Sequence, residues 1–481
     1  MGKKEDELIK IVGDKSVFAD AEALAAYSSD CSFTSPRNPQ LVVKANNADQ
    51  VQQIVAWANE TSTPLVPVSS GLPHFRGDTI PSVDGAVVVD LSGMKQIINI
   101  DRKNRMTIVE PGVTYTQLQP ELAKQGLRLS MPLLPRQSKS VVASLIEREP
   151  TLIPKYRWWL SDPLRCLEVV WGNGDRMMTG EAGTFHTIQG AWKRNLALLN
   201  PRGPAQVDYY RLVQGAQGTM GIVTWAALRC EVLPKVQKFF LVPAKKLDDL
   251  LDFAYRLLRF RFGDELLILN SSNLGYILGE GADELPLWVL ILGVCGRDIL
   301  PEEKVEFLEK DIADIAQQFG LRLLSSVPGV SNGEIQEAIL NPSKEPYWKL
   351  RYKGGCQDIF FMTTLEKTPE FVRTMYSAAE AEGYPTSDIG VYIQPTQQGS
   401  SCHCEFSLPY NPSNEAEASK VRGLFAEASD LLLKQGAFFS RPYGIWADMA
   451  YNKDAQTTIV LRKVKKIFDP NNVMNTGKLC F

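Results

Sequence analysis

Residues 67 to 81 read PVSSGLPHFRGDTIP and set Gly71 and Gly77 six residues apart behind an apolar run. A glycine turn of this kind presents successive backbone N–H groups, which can hold a pyrophosphate. It matches neither the GxGxxG fingerprint nor the phosphate loop of nucleotide hydrolases, so an ordinary surface turn stays open as its reading. The chain has three histidines, His74, His186 and His403. His403 lies in GSSCHCEF at 399 to 406, where one imidazole and Glu405 make a poor ligand set for a divalent ion, and no metal is expected. The eight cysteines contain no CxxC pair, and Cys402 and Cys404 stand too close for the usual structural zinc spacing. Any iron–sulfur or haem centre in an electron path must then sit on another subunit.

A chain of 481 residues, 44% hydrophobic, exceeds the length at which one core usually stops growing, and two domains are expected. The net charge of -3 and the lack of a basic block argue against nucleic acid as a partner. No long apolar run predicts a membrane span, the N-terminus MGKKEDELIKIVG lacks an export signal, and the scattered cysteines fit a reduced, cytoplasmic setting.

The elements that must position the glycine turn are legible from periodicity. Residues 42 to 61 predict a short strand and then a helix with Val51, Ile54, Val55 and Ala58 on one side, capped by Asn46 or Asp49. PLVPVSSG enters the glycine turn as a strand; AVVVDLSGM, IINIDRKNRMTIVEPGVT and a helix over YTQLQPELAKQGLRL follow, an α+β order. LRCLEVVWGNGDRMMTG at 164 to 180 reads as a hairpin with Asn173-Gly174 at its tip. Beyond Pro234 strands and helices alternate, with Pro301 in the first turn of a helix. The expected division is 1–235, 236–425, and a segment 426–481 that returns to the first domain.

The block Pro67 to Pro81, with the strand Ala86 to Leu91 and VEPGV at 109 to 113, resembles the FAD-domain start of the superfamily of p-cresol methylhydroxylase and vanillyl-alcohol oxidase, which includes D-lactate and glycolate dehydrogenases. SKSVVASLIERE from Ser138 with WLSDPLRCLEVVWGNGDRMMTGEAG, VQGAQGTMGIVT at 213 to 224, and VKKIFDPNNVMNTGK at 464 to 478 are similar to later blocks of that family. The resemblance implies a two-subdomain FAD-binding domain of the p-cresol methylhydroxylase type plus an α+β cap domain with an antiparallel sheet. It implies FAD, with contacts from Ser69, Ser70, Gly71, Leu72, Pro73, His74, Gly77 and Asp78 in the first block. Pro135, Ser138, Ser140 and Val141 would contribute from the second, Gly218, Gly221, Ile222 and Val223 from the third, and Asn475 from the last. Several members tether FAD through a histidine near the first loop; His74 is offset from it, so noncovalent FAD is expected and a covalent link is the alternative.

In the hydroxyacid branch, histidines of two segments hold a metal near the flavin. Here GSSCHCEF and SRPYGIW stand in those places, and Pro442-Tyr443 replaces the second acid–histidine pair. His403 is then expected as a hydrogen-bonding pocket residue. Arg441 could fix a carboxylate or a developing phenolate and Tyr443 could hydrogen-bond a hydroxyl, whereas the plainer readings are a surface ion pair and a packed aromatic. The family pattern predicts an FAD-dependent oxidoreductase that moves a hydride from a small alcohol or a phenolic or benzylic substrate to flavin N5. Electrons would pass to a separate acceptor protein or iron–sulfur subunit, and a homodimer is expected by analogy. A 2-hydroxyacid dehydrogenase is one alternative. A noncatalytic subunit of a redox complex is the other, because Ala143 and Glu147-Arg148-Glu149 stand where relatives are glycine-rich. Tyr156, Arg157, Trp158 and Trp159 form a cluster suited to an aromatic pocket, a lid or a partner surface.

Overall fold

The computed structural model describes residues 2–154, 162–185, 187–204, 206–279, 284–451 and 455–481. The aromatic cluster at 156 to 159 and His186 lie outside them. The first sheet has the order Val17–Phe18, Leu41–Lys44, Val87–Asp90, Leu65–Val68, and its last three strands are parallel. Their near-continuous apolar runs suit strands covered on both faces. The helix Ala48–Thr61 packs Val51, Ile54, Val55 and Ala58 into the same core. Its cap is Asn47, neither Asn46 nor Asp49: Asn47 is the last extended residue, and its side chain accepts from Gln50 N at 2.9 Å. Such a cap contributes about 1 kcal/mol.

The second sheet is antiparallel, in the order Ile97–Asp101, Met106–Val109, Gly221–Arg229, Leu164–Trp171, Arg176–Met178. The last two strands form the expected hairpin, with Gly174 at φ 89° in its turn. The helix expected over 115 to 129 stops at Lys124. Gly126, at φ 68°, turns the chain there, and Leu127–Arg128 pairs with Glu231–Val232 instead.

The third sheet has six strands, all antiparallel: Val236–Ala244, Trp288–Gly296, Glu265–Asn270, Gly390–Thr396, Ser401–Tyr410, Gly355–Thr363. The helices Asp248–Phe260, Pro301–Gln318, Thr368–Ala381 and Glu415–Lys434 share its large apolar core. Glu415–Lys434 runs unbroken across residue 425 and buries Val421, Leu424, Ala428 and Leu432 in that core. Along Ser401–Tyr410, Cys402, Cys404, Phe406 and Leu408 join the core, and strand alternation turns His403, Glu405 and Ser407 to the other face.

The chain then returns to the first sheet. Leu65 N donates to Val473 O at 2.7 Å, and Asn475 N donates to Leu65 O at 2.8 Å. Buried Lys465 and Asp469 pair at 2.5 Å, and Asp469 accepts from the backbone N–H groups of Val473 and Met474. Among the described residues no helix is long and apolar enough to cross a membrane.

Candidate active site

One cavity runs between the first two sheets and the exposed face of the third, with about 1650 Å³ of empty space, its solvent mouth included. Its first wall is the loop that follows Leu65–Val68. Among the described residues nothing accepts from the backbone N–H groups of His74, Phe75, Arg76 or Asp78, all of which line the cavity. The rest of the loop is tied down. Gly71 N donates to Ser138 O at 2.9 Å, Gly77 N donates to Asp30 Oδ2 at 2.6 Å, and Arg136 donates to Gly71 O and Pro73 O. Gly77 stands at φ 72°, where a Cβ would run into Thr34. Ser70 Oγ accepts from Ser140 N at 3.1 Å, and Ser140 caps the short helix Val141–Ile146. Gly218, at φ 71°, has Pro67 Cγ 2.5 Å from where its Cβ would lie. Asn475 Nδ2 donates to Asp78 O and Gln217 O at 2.9 and 2.7 Å, while its Oδ1 is buried without a partner. Unsatisfied N–H groups beside Arg136 and Lys139 fit the pyrophosphate of a dinucleotide.

Charge on this wall is set by burial. Desolvation, with Arg136 and Lys139 near, lowers the His74 imidazole to about 3, so it is neutral, and its Nε2 has no partner. Desolvation and then Glu147 raise the Asp78 carboxyl to about 6. Burial acts to raise Glu149 as well, but Lys139, Arg76 and Ser144 outweigh it and bring the carboxyl down to about 2. Lys139 bridges Glu147 at 2.7 Å and Glu149 at 3.5 Å, so both acids are held by a cation.

The second wall is the free face of the six-stranded sheet. The Phe360 ring has the Arg76 guanidinium at 4.3 Å and the Arg441 guanidinium at 4.3 Å. Buried cation–π contacts of this kind contribute about 2 kcal/mol. Arg441 Nη1 is buried without a partner. Burial and then the Arg76 charge lower the Arg441 guanidinium, so two like charges meet at a ring with one donor unused. Tyr443, 5.5 Å from the Arg76 guanidinium, is pushed well up by burial and then by Glu147 and Asp78. Beside them Lys349 Nζ lies 2.7 Å from Asp358 Oδ2 and 2.5 Å from Glu405 Oε1, and His403 Nε2 lies 3.2 Å from Glu405 Oε2.

The sequence-derived residues divide accordingly. Ser69, Ser70, His74, Asp78, Pro135, Gly218, Gly221, Ile222, Val223, His403, Arg441 and Tyr443 all line the cavity. Gly71, Leu72, Pro73, Gly77, Ser138, Ser140, Val141 and Asn475 stand behind that lining and shape it; Leu72 is exposed. Sequence reading passed over Arg76, Lys139, Lys349, Phe360 and Tyr392. Only strand alternation from Phe360 or Tyr392 offered a signal for any of them. Among the described residues no His, Cys, Asp and Glu group could hold a metal ion.

This lining, unpaired loop donors on one side and an aromatic, cationic sheet face on the other, defines a flavin-binding oxidoreductase fold. Two family models match the chain, the FAD binding domain at residues 39–174 and the FAD linked oxidases C-terminal domain at residues 288–479. D-2-hydroxyglutarate dehydrogenase of Stutzerimonas stutzeri is 23% identical over 503 residues, covering 98% of this chain and 98% of its own. The flavoprotein subunit of 4-cresol dehydrogenase (hydroxylating) of Pseudomonas putida is 28% identical over 177 residues, covering 36% of this chain and 33% of its own. The structure of p-cresol methylhydroxylase with substrate bound superimposes with a TM-score of 0.85 at 19% identity, covering 100% of this chain and 96% of that one. The fold is the α+β fold of p-cresol methylhydroxylase, with antiparallel sheets beside the mainly parallel first one. The chain belongs to the FAD-linked oxidase superfamily and is an FAD-dependent oxidoreductase.

Proposed function

We propose that the chain is a dehydrogenase for a small alcohol or a phenolic or benzylic substrate and passes electrons to a separate acceptor. The observation that supports it is the buried, unpartnered Arg441 Nη1 beside Arg76 and over the Phe360 ring. Two guanidiniums suit a ring that carries an anionic oxygen. Residues 69 to 78, Pro135, Gly218, Gly221 to Val223 and Asn475 would hold or shape the site of FAD, which when bound supplies the hydride acceptor at flavin N5. Arg441 and Arg76, held against the Phe360 ring, would bind the substrate oxygen, and Tyr443 would hydrogen-bond it.

A second reading, a 2-hydroxyacid dehydrogenase with the carboxylate on Arg441, is favoured by the full-length similarity to D-2-hydroxyglutarate dehydrogenase. That a cresol-oxidising relative is named a flavoprotein subunit supports an acceptor on another polypeptide, a redox protein or iron–sulfur subunit. The test is the absorbance spectrum of the purified chain, followed by anaerobic addition of small phenols and of 2-hydroxyacids. Bleaching of the flavin band by phenols is expected. Bleaching by 2-hydroxyacids alone would replace the substrate class, and no flavin in folded, FAD-supplemented protein would leave the noncatalytic-subunit reading.

A further inference from the structure

Five side chains on the second wall form a chain of contacts whose order has a chemical consequence. Asp358 Oδ2 and Glu405 Oε1 accept from Lys349 Nζ; Ser407 Oγ donates to Asp358 Oδ1 at 2.9 Å; Glu405 Oε2 is left facing His403 Nε2 at 3.2 Å. Two paired strands carry four of these groups, Lys349 reaches in from the turn Trp348–Leu350, and the sheet register puts Phe360 and Tyr392 opposite Glu405, and Met362 and Gln394 opposite His403. An ionised carboxylate is acceptor-only, so a hydrogen bond to it requires the proton on Nε2. His403 Nδ1 is then a lone pair, buried and without a partner, on a residue that lines the cavity.

We propose that Lys349 and Glu405 are positioning residues that hold His403 as its Nε2–H tautomer, so that Nδ1 takes the proton of the substrate hydroxyl. The inference rests on the reading of the cavity as the site of a hydroxyl-bearing substrate. In this step the substrate O–H bond breaks, an N–H bond forms at Nδ1, and the electron pair stays on the substrate oxygen as an anion for Arg441 to stabilise. The arrangement is that of a carboxylate orienting an imidazole base, here with a lysine in turn fixing the carboxylate. The electrostatics agree. Burial would raise the Glu405 carboxyl, but Lys349 and then His403 outweigh it and hold it below the ordinary carboxylate range. Burial lowers the His403 imidazole against the opposing pull of Glu405, with Arg441 and Lys349 adding to the lowering; Arg76, Tyr347, Asp358, Tyr392 and Tyr443 are further ionisable groups on this wall. His403 is therefore neutral near pH 7, as a base must be.

With three histidines in the chain, 15N-histidine labelling and NMR at pH 7 read the tautomer directly, and His403→Gln assigns its signal. The expected signal is a neutral ring with the proton on Nε2; a proton on Nδ1, or a cationic ring, in the wild-type protein overturns the proposal whatever the variants do. In anaerobic flavin reduction, H403Q is expected to slow bleaching by about 10²- to 10⁴-fold, the usual share of a general base. In Glu405→Gln, loss of the carboxylate that holds the imidazole proton should move the acid limb of the pH profile to lower pH. An unmoved limb in folded, flavin-loaded E405Q would remove the positioning role. Because the tautomer is read without substrate, failure of the proposed substrate class is distinguishable from failure of this inference.

Discussion

The two walls of the cavity are built by opposite means. On the loop wall most of the groups left over for a ligand are backbone N–H donors, and the donors of nearby side chains, those of Arg136 and the Asn475 amide among them, hold the loop. On the sheet wall the backbone around Asp358, His403 and Glu405 is consumed by strand pairing, and what is available for chemistry is side chains: theirs, and those of Lys349, Arg441 and Tyr443 from neighbouring turns. Backbone donors cannot be changed without refolding the loop, which suits a fixed cofactor. Side chains on alternate strand positions can be exchanged singly, which suits a wall that selects substrate.

The sharpest way to break this contrast is Gly218→Val. A β-branched residue at φ 71° with a Cβ 2.5 Å from Pro67 must move the loop wall, and near-complete loss of flavin from the purified protein is expected. A G218V protein that retained its flavin band would show that the loop does not depend on that close approach. Next in size is Arg441→Ala. Removing the unused donor is expected to lower kcat/KM by about 10²- to 10³-fold, the scale of one charge-stabilising contact, with flavin content unchanged; equal losses of flavin and rate would mean that the two walls are not separate in function. The smallest effect is Asp78→Asn. A carboxyl raised from 3.8 to about 6 binds more protons folded than unfolded, so its cost to stability grows as pH rises through that window and is complete above it. The variant should melt above the wild type at pH 8, with the difference vanishing below about pH 4, as measured by thermal scans of the flavin-free protein.

The same contrast explains what could be read in the residue order. The glycine turn, the hairpin at Asn173-Gly174 and the parallel Val-rich strands carry their signal within a few neighbouring residues, because turn chemistry and burial on both faces constrain local residue types. The Asn47 cap was misplaced by one residue from Asn46, since three cap-competent residues stand at 46, 47 and 49 and only the backbone angle distinguishes them. The Lys349 cluster had no such signal. Its members come from positions 349, 358, 403 and 405, and only the pairing of Gly355–Thr363 with Ser401–Tyr410 brings the last three to one place. Arg76 sits inside the glycine turn, and nothing in the local residue order marks a side chain that reaches across to Phe360.

Asn475 and Lys478 bind the carbonyls of Asp78, Gln217 and Gly77, residues some 250 to 400 positions earlier in the chain. During synthesis the carbonyls of Gly77 and Asp78 therefore wait, unclaimed, until residues 475 to 478 have cleared the ribosome. A nascent chain stalled before position 473 would carry most of a flavin domain with that latch still open.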